Sequence, residues 1–132
     1  MAKGSGTERR RFVRLDVSIP AQAKVPLPEL SDEALVLKAT IKNLSVEGAK
    51  VFIHALKKED AAALLRMRRK CTLLFTLPGE EAQSVYPGEI VWVDLHADIA
   101  PITANLGISL KDLPAPDREH LARFLDGLSA KK

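Results

Sequence analysis

Apolar and polar residues alternate strictly from residue 13 to residue 25, the most regular pattern in the chain. A period of two places every second side chain on one face of an extended segment, so the pattern predicts a strand with one buried and one solvated face. Because proline has no amide hydrogen for a partner strand, Pro20 predicts a bend or an edge there. The apolar positions are Val13, Leu15, Val17, Ile19, Ala21, Ala23 and Val25.

The same alternation recurs in later segments of the chain. Two of them flank the polar corner formed by residues 43–48, which predicts a hairpin whose turn depends on its glycine. Together with the first strand they bring the expected number of strands to six. These later strands are predicted at residues 35–43, 49–53, 71–77, 85–94 and 102–110.

Two segments have helical periodicity. In residues 57–70, Ala61, Leu64 and Leu65 recur at helical spacing, which predicts a helix of about three turns that crosses one end of the sheet. A proline-rich break at residues 113–117 precedes a closing helix whose apolar stripe is Leu121, Phe124, Leu125 and Leu128. The elements together predict a mainly β fold, a six-stranded antiparallel β-barrel with a crossing helix and a C-terminal helix.

The length of 132 residues is enough for one core and too short for two ordinary domains. We therefore expect a single barrel domain over residues 13–132, preceded by a flexible arm at residues 1–12. Cys71 is the single cysteine, which excludes an internal disulfide and a cysteine-rich zinc site. The sequence has no apolar signal core and no run approaching ~18 apolar residues. We therefore expect a cytoplasmic protein that does not insert into a membrane.

Positive charge is concentrated at one end of the chain. Residues 1–24 contain six Lys or Arg against Glu8 and Asp16, whereas the whole chain has a formal net charge of +3. The remainder is therefore close to neutral. This distribution favours one anionic partner at one place over general coating of nucleic acid.

Two polar stretches carry the candidate chemistry. Arg10 and Arg14 would lie on one face of an extended segment, about 13 Å apart, where planar guanidinium groups could bind phosphates or guanine edges of one ligand. Asn43 offers an amide, Ser45 a hydroxyl, and Gly48 a backbone without Cβ. Donors combined with acceptors indicate recognition of a base as well as of charge.

The sequence Glu-Arg-Arg-x-x-x-Arg at residues 8–14, followed by Asn-x-Ser-x-x-Gly at residues 43–48, resembles the two-part signature of PilZ domains, bacterial receptors for cyclic di-GMP. The resemblance extends over nearly the whole chain, through the strand at residues 106–110 and the closing helix. It implies a signalling adaptor whose arm orders over the ligand and relays binding to a protein effector, in motility or biofilm formation.

The resemblance also implies a role for each motif residue. Arg10 and Arg14 would hold guanine edges and phosphates, and Arg9 would stack on a guanine or contact a phosphate; an arginine at that position often accompanies an intercalated pair of ligand molecules. Asn43 and Ser45 would bond a guanine, and Gly48 would keep the corner in shape. Many members have Asp at the position of Asn43. The implied ligand-binding set is Arg9, Arg10, Arg14, Asn43, Ser45 and Gly48.

Other interpretations remain open. A degenerate PilZ-fold module could bind a protein and no nucleotide, and a small barrel could bind RNA or DNA through the arm. Trp92 and Tyr86 are too few for a nucleic-acid stacking platform and are expected in the core or in a contact patch.

Catalysis and metal binding have weaker support in the sequence. It contains no evident nucleophile–base pair or phosphate-cradling loop, so we do not expect an enzyme. Asp94, His96 and Asp98 would share one face of an extended segment but lack a further metal ligand nearby. The basic cluster of Arg66, Arg68, Arg69 and Lys70 is interpreted as a favourable helix end.

Overall fold

The computed structural model describes residues 15–26, 34–65 and 69–130. These ranges contain six strands and two helices, in the predicted order. The elements are β1 (Leu15–Val25), β2 (Leu35–Leu44), β3 (Gly48–Leu56), α1 (Lys58–Leu64), β4 (Arg69–Phe75), β5 (Ser84–His96), β6 (Ile102–Ser109) and α2 (Ala115–Ala130).

The strands form one closed barrel. Its order is β1, β2, β3, β6, β5 and β4, and β4 pairs back with β1 to close the ring. Every neighbouring pair is antiparallel. Closure pairs each strand on both sides and so removes open sheet edges. The predicted six-stranded antiparallel barrel with two helices is confirmed.

The alternation in the sequence becomes alternation in burial. Along β1 the side chains of Ile19, Ala21, Ala23 and Val25 are buried, and the residues between them are exposed. The strand continues through Pro20, which pairs with Thr40 of β2 and lies just outside the stretch of β1 that pairs with β4. Pro20 therefore occupies the edge-like position that its missing amide hydrogen favours.

The first helix is shorter than predicted. α1 has seven residues, and Arg69 and Lys70, which were expected at the end of the helix, belong to β4 and pair with Ile90 and Glu89 of β5. Strand pairing outweighs the local helix propensity at these positions. The guanidinium of Arg69 nevertheless donates to the carbonyl oxygen of Ala63 near the end of α1, at 3.2 Å.

The second helix packs on the barrel as its apolar stripe predicted. Leu121 and Leu125 are buried in the same core as Leu77 and Leu110, and Phe124 packs against that core. Neither α1 nor α2, the helices of the described ranges, is long and apolar enough to cross a membrane.

Candidate ligand-binding site

The corner between β2 and β3 is built around one buried hydroxyl. The Ser45 amide donates to the Gly48 carbonyl oxygen at 2.9 Å. The Ser45 hydroxyl oxygen accepts from the amides of Glu47 at 3.1 Å and Gly48 at 3.2 Å, and the hydroxyl donates to the Gly48 carbonyl at 3.3 Å. The side chain satisfies backbone groups that would otherwise be unpaired in the turn.

This geometry gives two of the predicted ligand residues a structural task. Ser45 is only 1% exposed and its hydroxyl already has one acceptor and two donors, so its predicted contact with a guanine requires the hydroxyl to rotate. Gly48 does not have a positive φ, so the corner does not depend on glycine for a left-handed conformation. Its predicted value as a point of close approach stays a prediction.

The described glycine that does need a positive φ is elsewhere. Gly79 has a φ of +87° in the turn after β4, where the Glu80 amide donates to the Leu77 carbonyl at 2.9 Å. Proline followed by a left-handed glycine is typical of a type II turn. Among the described turns, the one that needs a left-handed glycine is therefore at residues 77–80.

Asn43 lies on the outer face of the barrel beside two charged residues. It is half-buried, and it pairs across the sheet with Asp16 of β1 and with Lys50 of β3. The ladder is irregular on both sides of Asn43, between Asp16 and Ile19 in β1 and between Ile41 and Asn43 in β2. Such bulges increase twist and redirect side chains at sites on a sheet.

The first residue of β1 lies opposite the corner. Leu15 pairs with Leu44, the residue between Asn43 and Ser45 in the chain. Arg14 immediately precedes Leu15 in the sequence, so the arginine motif leads into the barrel at the asparagine–serine motif. Arg9, Arg10 and Arg14 themselves lie outside the described residues.

A residue that the sequence analysis did not select holds the corner in place. The guanidinium of Arg118, in the first turn and a half of α2, donates to the carbonyl oxygens of Val46 at 3.1 Å, Leu110 at 3.4 Å and Lys111 at 2.6 Å. The Leu110 amide also donates to the Glu47 carbonyl at 2.9 Å. The corner is therefore fixed to the end of β6 and to α2.

The sequence contained a signal for this clamp. Arg118 precedes Leu121 by three residues and Leu125 by seven, which places it on the buried stripe of the helix. A cation near a helix N-terminus is disfavoured by the helix dipole. An arginine on the buried stripe near the start of a helix therefore indicates that its guanidinium bonds carbonyl groups outside that helix.

The remaining candidate groups do not assemble into one reactive site. His96 lies 3.5 Å from Asp94, and no group of three or more possible metal ligands occurs in the ranges that the structure describes. His54 bonds Thr40 at 2.7 Å, and His120 bonds Glu80 at 2.7 Å.

Cys71 is buried in the barrel. Burial, with the nearby charge of Glu89, raises the pKa of its thiol to about 12. The thiol is therefore neutral at ordinary pH, which makes it a packing group and a poor nucleophile.

One surface cavity lies apart from the motifs. It has a volume of about 650 Å³, and its lining includes Gln22, Lys38, Thr40 and His54 but none of the three described motif residues. Its lining comes from β1, β2, β3, β4 and the segment after β4, and it includes no residue of the corner at 43–48.

The sequence matches the PilZ domain family over residues 8–127. No curated protein matches the sequence significantly. Among solved structures, the chain resembles the PilZ domain with c-di-GMP of YcgR from Escherichia coli, with 18% identity, a TM-score of 0.62, and 93% of each chain covered.

Two longer proteins also contain this fold. The inhibitor of motility MotI/DgrA from Bacillus subtilis is 21% identical, with a TM-score of 0.60 and coverage of 94% of this chain and 53% of that one. The PlzA protein from Borreliella burgdorferi, in complex with c-di-GMP, is 10% identical, with a TM-score of 0.56 and coverage of 98% and 56%. The chain thus spans about half the length of MotI and of PlzA. Since the family match extends from the arginine motif through most of α2, the chain belongs to the PilZ domain family.

Proposed function

We propose that this protein is a receptor for cyclic di-GMP that performs no chemistry and acts as a signalling adaptor. The observation that carries the proposal is the pairing of Leu15 with Leu44, since it brings the strand that follows the arginine motif to the asparagine–serine corner. Structures of YcgR and PlzA in the same family contain c-di-GMP, which supports the choice of ligand.

Two segments of the chain supply different groups to the proposed site. Arg9, Arg10 and Arg14 supply guanidinium groups for phosphates and guanine edges, and an intercalated ligand pair would use all three. Asn43 supplies the amide that reads a guanine, and the Ser45–Gly48 corner holds that amide in position. Ordering of residues 1–12 over the ligand is the proposed output, since a segment fixed by binding creates a new surface.

The adaptor would act on a protein effector in the cytoplasm. MotI, a relative of the same fold, is described as an inhibitor of motility, which supports a process in motility or biofilm formation. A partner that recognises the ordered arm together with the corner would respond to the concentration of the second messenger.

Calorimetric titration with cyclic di-GMP tests the proposal. We expect saturable binding by the intact protein and its loss in Arg14→Ala, because removing one guanidinium leaves a ligand phosphate or base edge without its partner. Arg123→Ala is the matched control, since it removes an exposed arginine from α2 and should leave binding unchanged. Binding that survives Arg14→Ala, or equal affinity for single-stranded oligonucleotides, would contradict the proposed site.

The burial of Ser45 favours a second candidate function. A protein-interaction module that no longer binds nucleotide would still contain Ser45, because the turn between β2 and β3 needs its hydroxyl. Ligand at about 100 times its dissociation constant stabilises the folded state by about 2.7 kcal/mol. A melting temperature unmoved by cyclic di-GMP would therefore support the second candidate.

A further inference from the structure

The surface cavity on the wall of β1, β2 and β4 combines polar and apolar groups. Its volume of about 650 Å³ lies within the range of roughly 300–1,000 Å³ that is usual for binding sites. Pro20 and Leu74 contribute apolar surface to its lining. The described polar side chains of the lining contain no carboxylate, and they are Gln22, Lys38, Thr40, His54, Thr76 and Gln83.

The imidazole of His54 is held at this cavity by two neighbours. Its Nε2 atom lies 2.7 Å from the Thr40 hydroxyl oxygen, and the Phe52 ring packs edge-on against it at a centroid distance of 5.3 Å. When the Thr40 hydroxyl donates to Nε2, Nδ1 carries the ring hydrogen and can donate to a carboxylate oxygen. A side chain that is fixed before binding loses less conformational entropy when a partner arrives.

Apolar residues continue from the cavity across the neighbouring strands. Lys38 pairs with Gln22, and Gln22 pairs with Leu74. Leu74 in turn pairs with Val85, so this row crosses four strands and spans about 14 Å at the usual spacing of strands. Val85 is 53% exposed. The adjacent row of paired positions, beginning with a valine that is 51% exposed, consists of Val36, Lys24, Thr72 and Pro87.

The charge of this face has one sign. Residues 18–25 of β1, 35–44 of β2 and 72–75 of β4 contain no Asp or Glu. They contain three exposed lysines, which are Lys24, Lys38 and Lys42. Complementary charge steers association and excludes partners of the same sign, so this face favours an acidic partner.

The size of the face limits what it can bind. The two rows are two residues apart along each strand, about 7 Å. Together they cover far less than the roughly 800 Å² per partner that a stable interface between folded proteins buries. The face therefore suits a short segment and a transient contact.

We propose that this face docks a short acidic segment of a protein partner. A carboxylate of the segment binds His54 and Lys38 in the cavity, and apolar side chains of the segment pack on Leu74 and Val85. A phosphate or a nucleic acid would use the cations but leave these apolar residues uncovered, which favours a peptide. The described motif residues do not line the cavity, so the inference goes beyond the receptor function and requires no cyclic di-GMP.

A nuclear magnetic resonance titration of the full chain, labelled with ¹⁵N, tests the docking. The probe is the peptide acetyl-Leu-Glu-Val-Glu-Leu-amide, and its control has Gln in place of both Glu residues. We expect saturable shift changes at the amides of Gln22, Lys38 and Leu74, with little change at the corner of residues 45–48. The control peptide should bind about 10-fold more weakly or worse, because it lacks charge-assisted hydrogen bonds.

Two pairs of surface variants separate charge from apolar contact. Lys38→Glu should weaken binding of the acidic peptide by about 10-fold, whereas Lys58→Glu, at an exposed lysine of α1, should leave it unchanged. Val85→Ser should weaken binding several-fold, whereas Ile99→Ser, at a more exposed apolar residue between β5 and β6, should not. The amide spectra also establish that each variant is folded.

Three results would overturn the inference. These are the absence of saturable shifts with the acidic peptide, equal binding of the two peptides, and tighter binding of a single-stranded oligonucleotide at the same residues. Shifts at this face that depend on protein concentration without peptide would assign it instead to a second copy of the chain. None of these results affects calorimetric binding of cyclic di-GMP, so the docking face and the receptor function can fail separately.

Discussion

At the scale of single residues, the corner shows that a residue of a predicted ligand motif can have a structural task of its own. Ser45 has a polar hydroxyl in a buried position, and all of its described partners are backbone groups of its own turn. The sequence identified the residue but not the direction of its side chain. A motif of turn-forming residues fixes which atoms are present, whereas burial decides which of them face solvent.

We expect Ser45→Ala to destabilise the protein by about 1–3 kcal/mol, because it removes the hydroxyl that accepts from the part-buried Glu47 amide and the buried Gly48 amide. Urea unfolding gives the value, and Ser18→Ala, at an exposed position of β1, should change it by less than about 0.5 kcal/mol. If Ser45→Ala is as stable as the unaltered protein yet loses cyclic di-GMP binding, the hydroxyl acts on the ligand and not on the turn.

At the scale of elements, the alternation of apolar residues predicted the strands well because burial in a barrel has the same period. The length of α1 could not be predicted in the same way, since the alanine-rich segment favours a helix locally while pairing with β5 takes Arg69 and Lys70 into a strand. The alignment of Asn43 across the sheet with Lys50, Gly107 and Trp92 was also beyond prediction. It depends on cross-strand register at bulges, and the sequence does not record register.

The Arg118 clamp joins elements that are distant in sequence, so its removal should destabilise the corner between β2 and β3. Arg118→Gln removes charge-assisted bonds to Val46, Leu110 and Lys111, and we expect a loss of about 2 kcal/mol in the free energy of unfolding. Hydrogen exchange at the Gly48 amide should become faster because the corner is no longer fixed to α2. The matched variant Arg123→Gln on the exposed side of the same helix should change neither quantity. Equal exchange rates in the two variants would show that the clamp does not stabilise the corner.

At the scale of the whole molecule, the barrel and the arginine motif of the proposed site lie in different parts of the chain. The closed barrel and its core are formed by residues 15–130 of the described ranges, whereas the charge that suits an anionic ligand is concentrated before them.

We expect a protein lacking residues 1–12 to melt cooperatively, within a few degrees of the full chain, because every strand keeps both of its partners. The same deletion removes Arg9 and Arg10, so cyclic di-GMP should raise the melting temperature of the full chain only. Scanning calorimetry with and without ligand measures both effects in one set of samples. An equal ligand-induced shift in the two proteins would place the binding energy on the barrel and would show that residues 1–12 are dispensable for recognition.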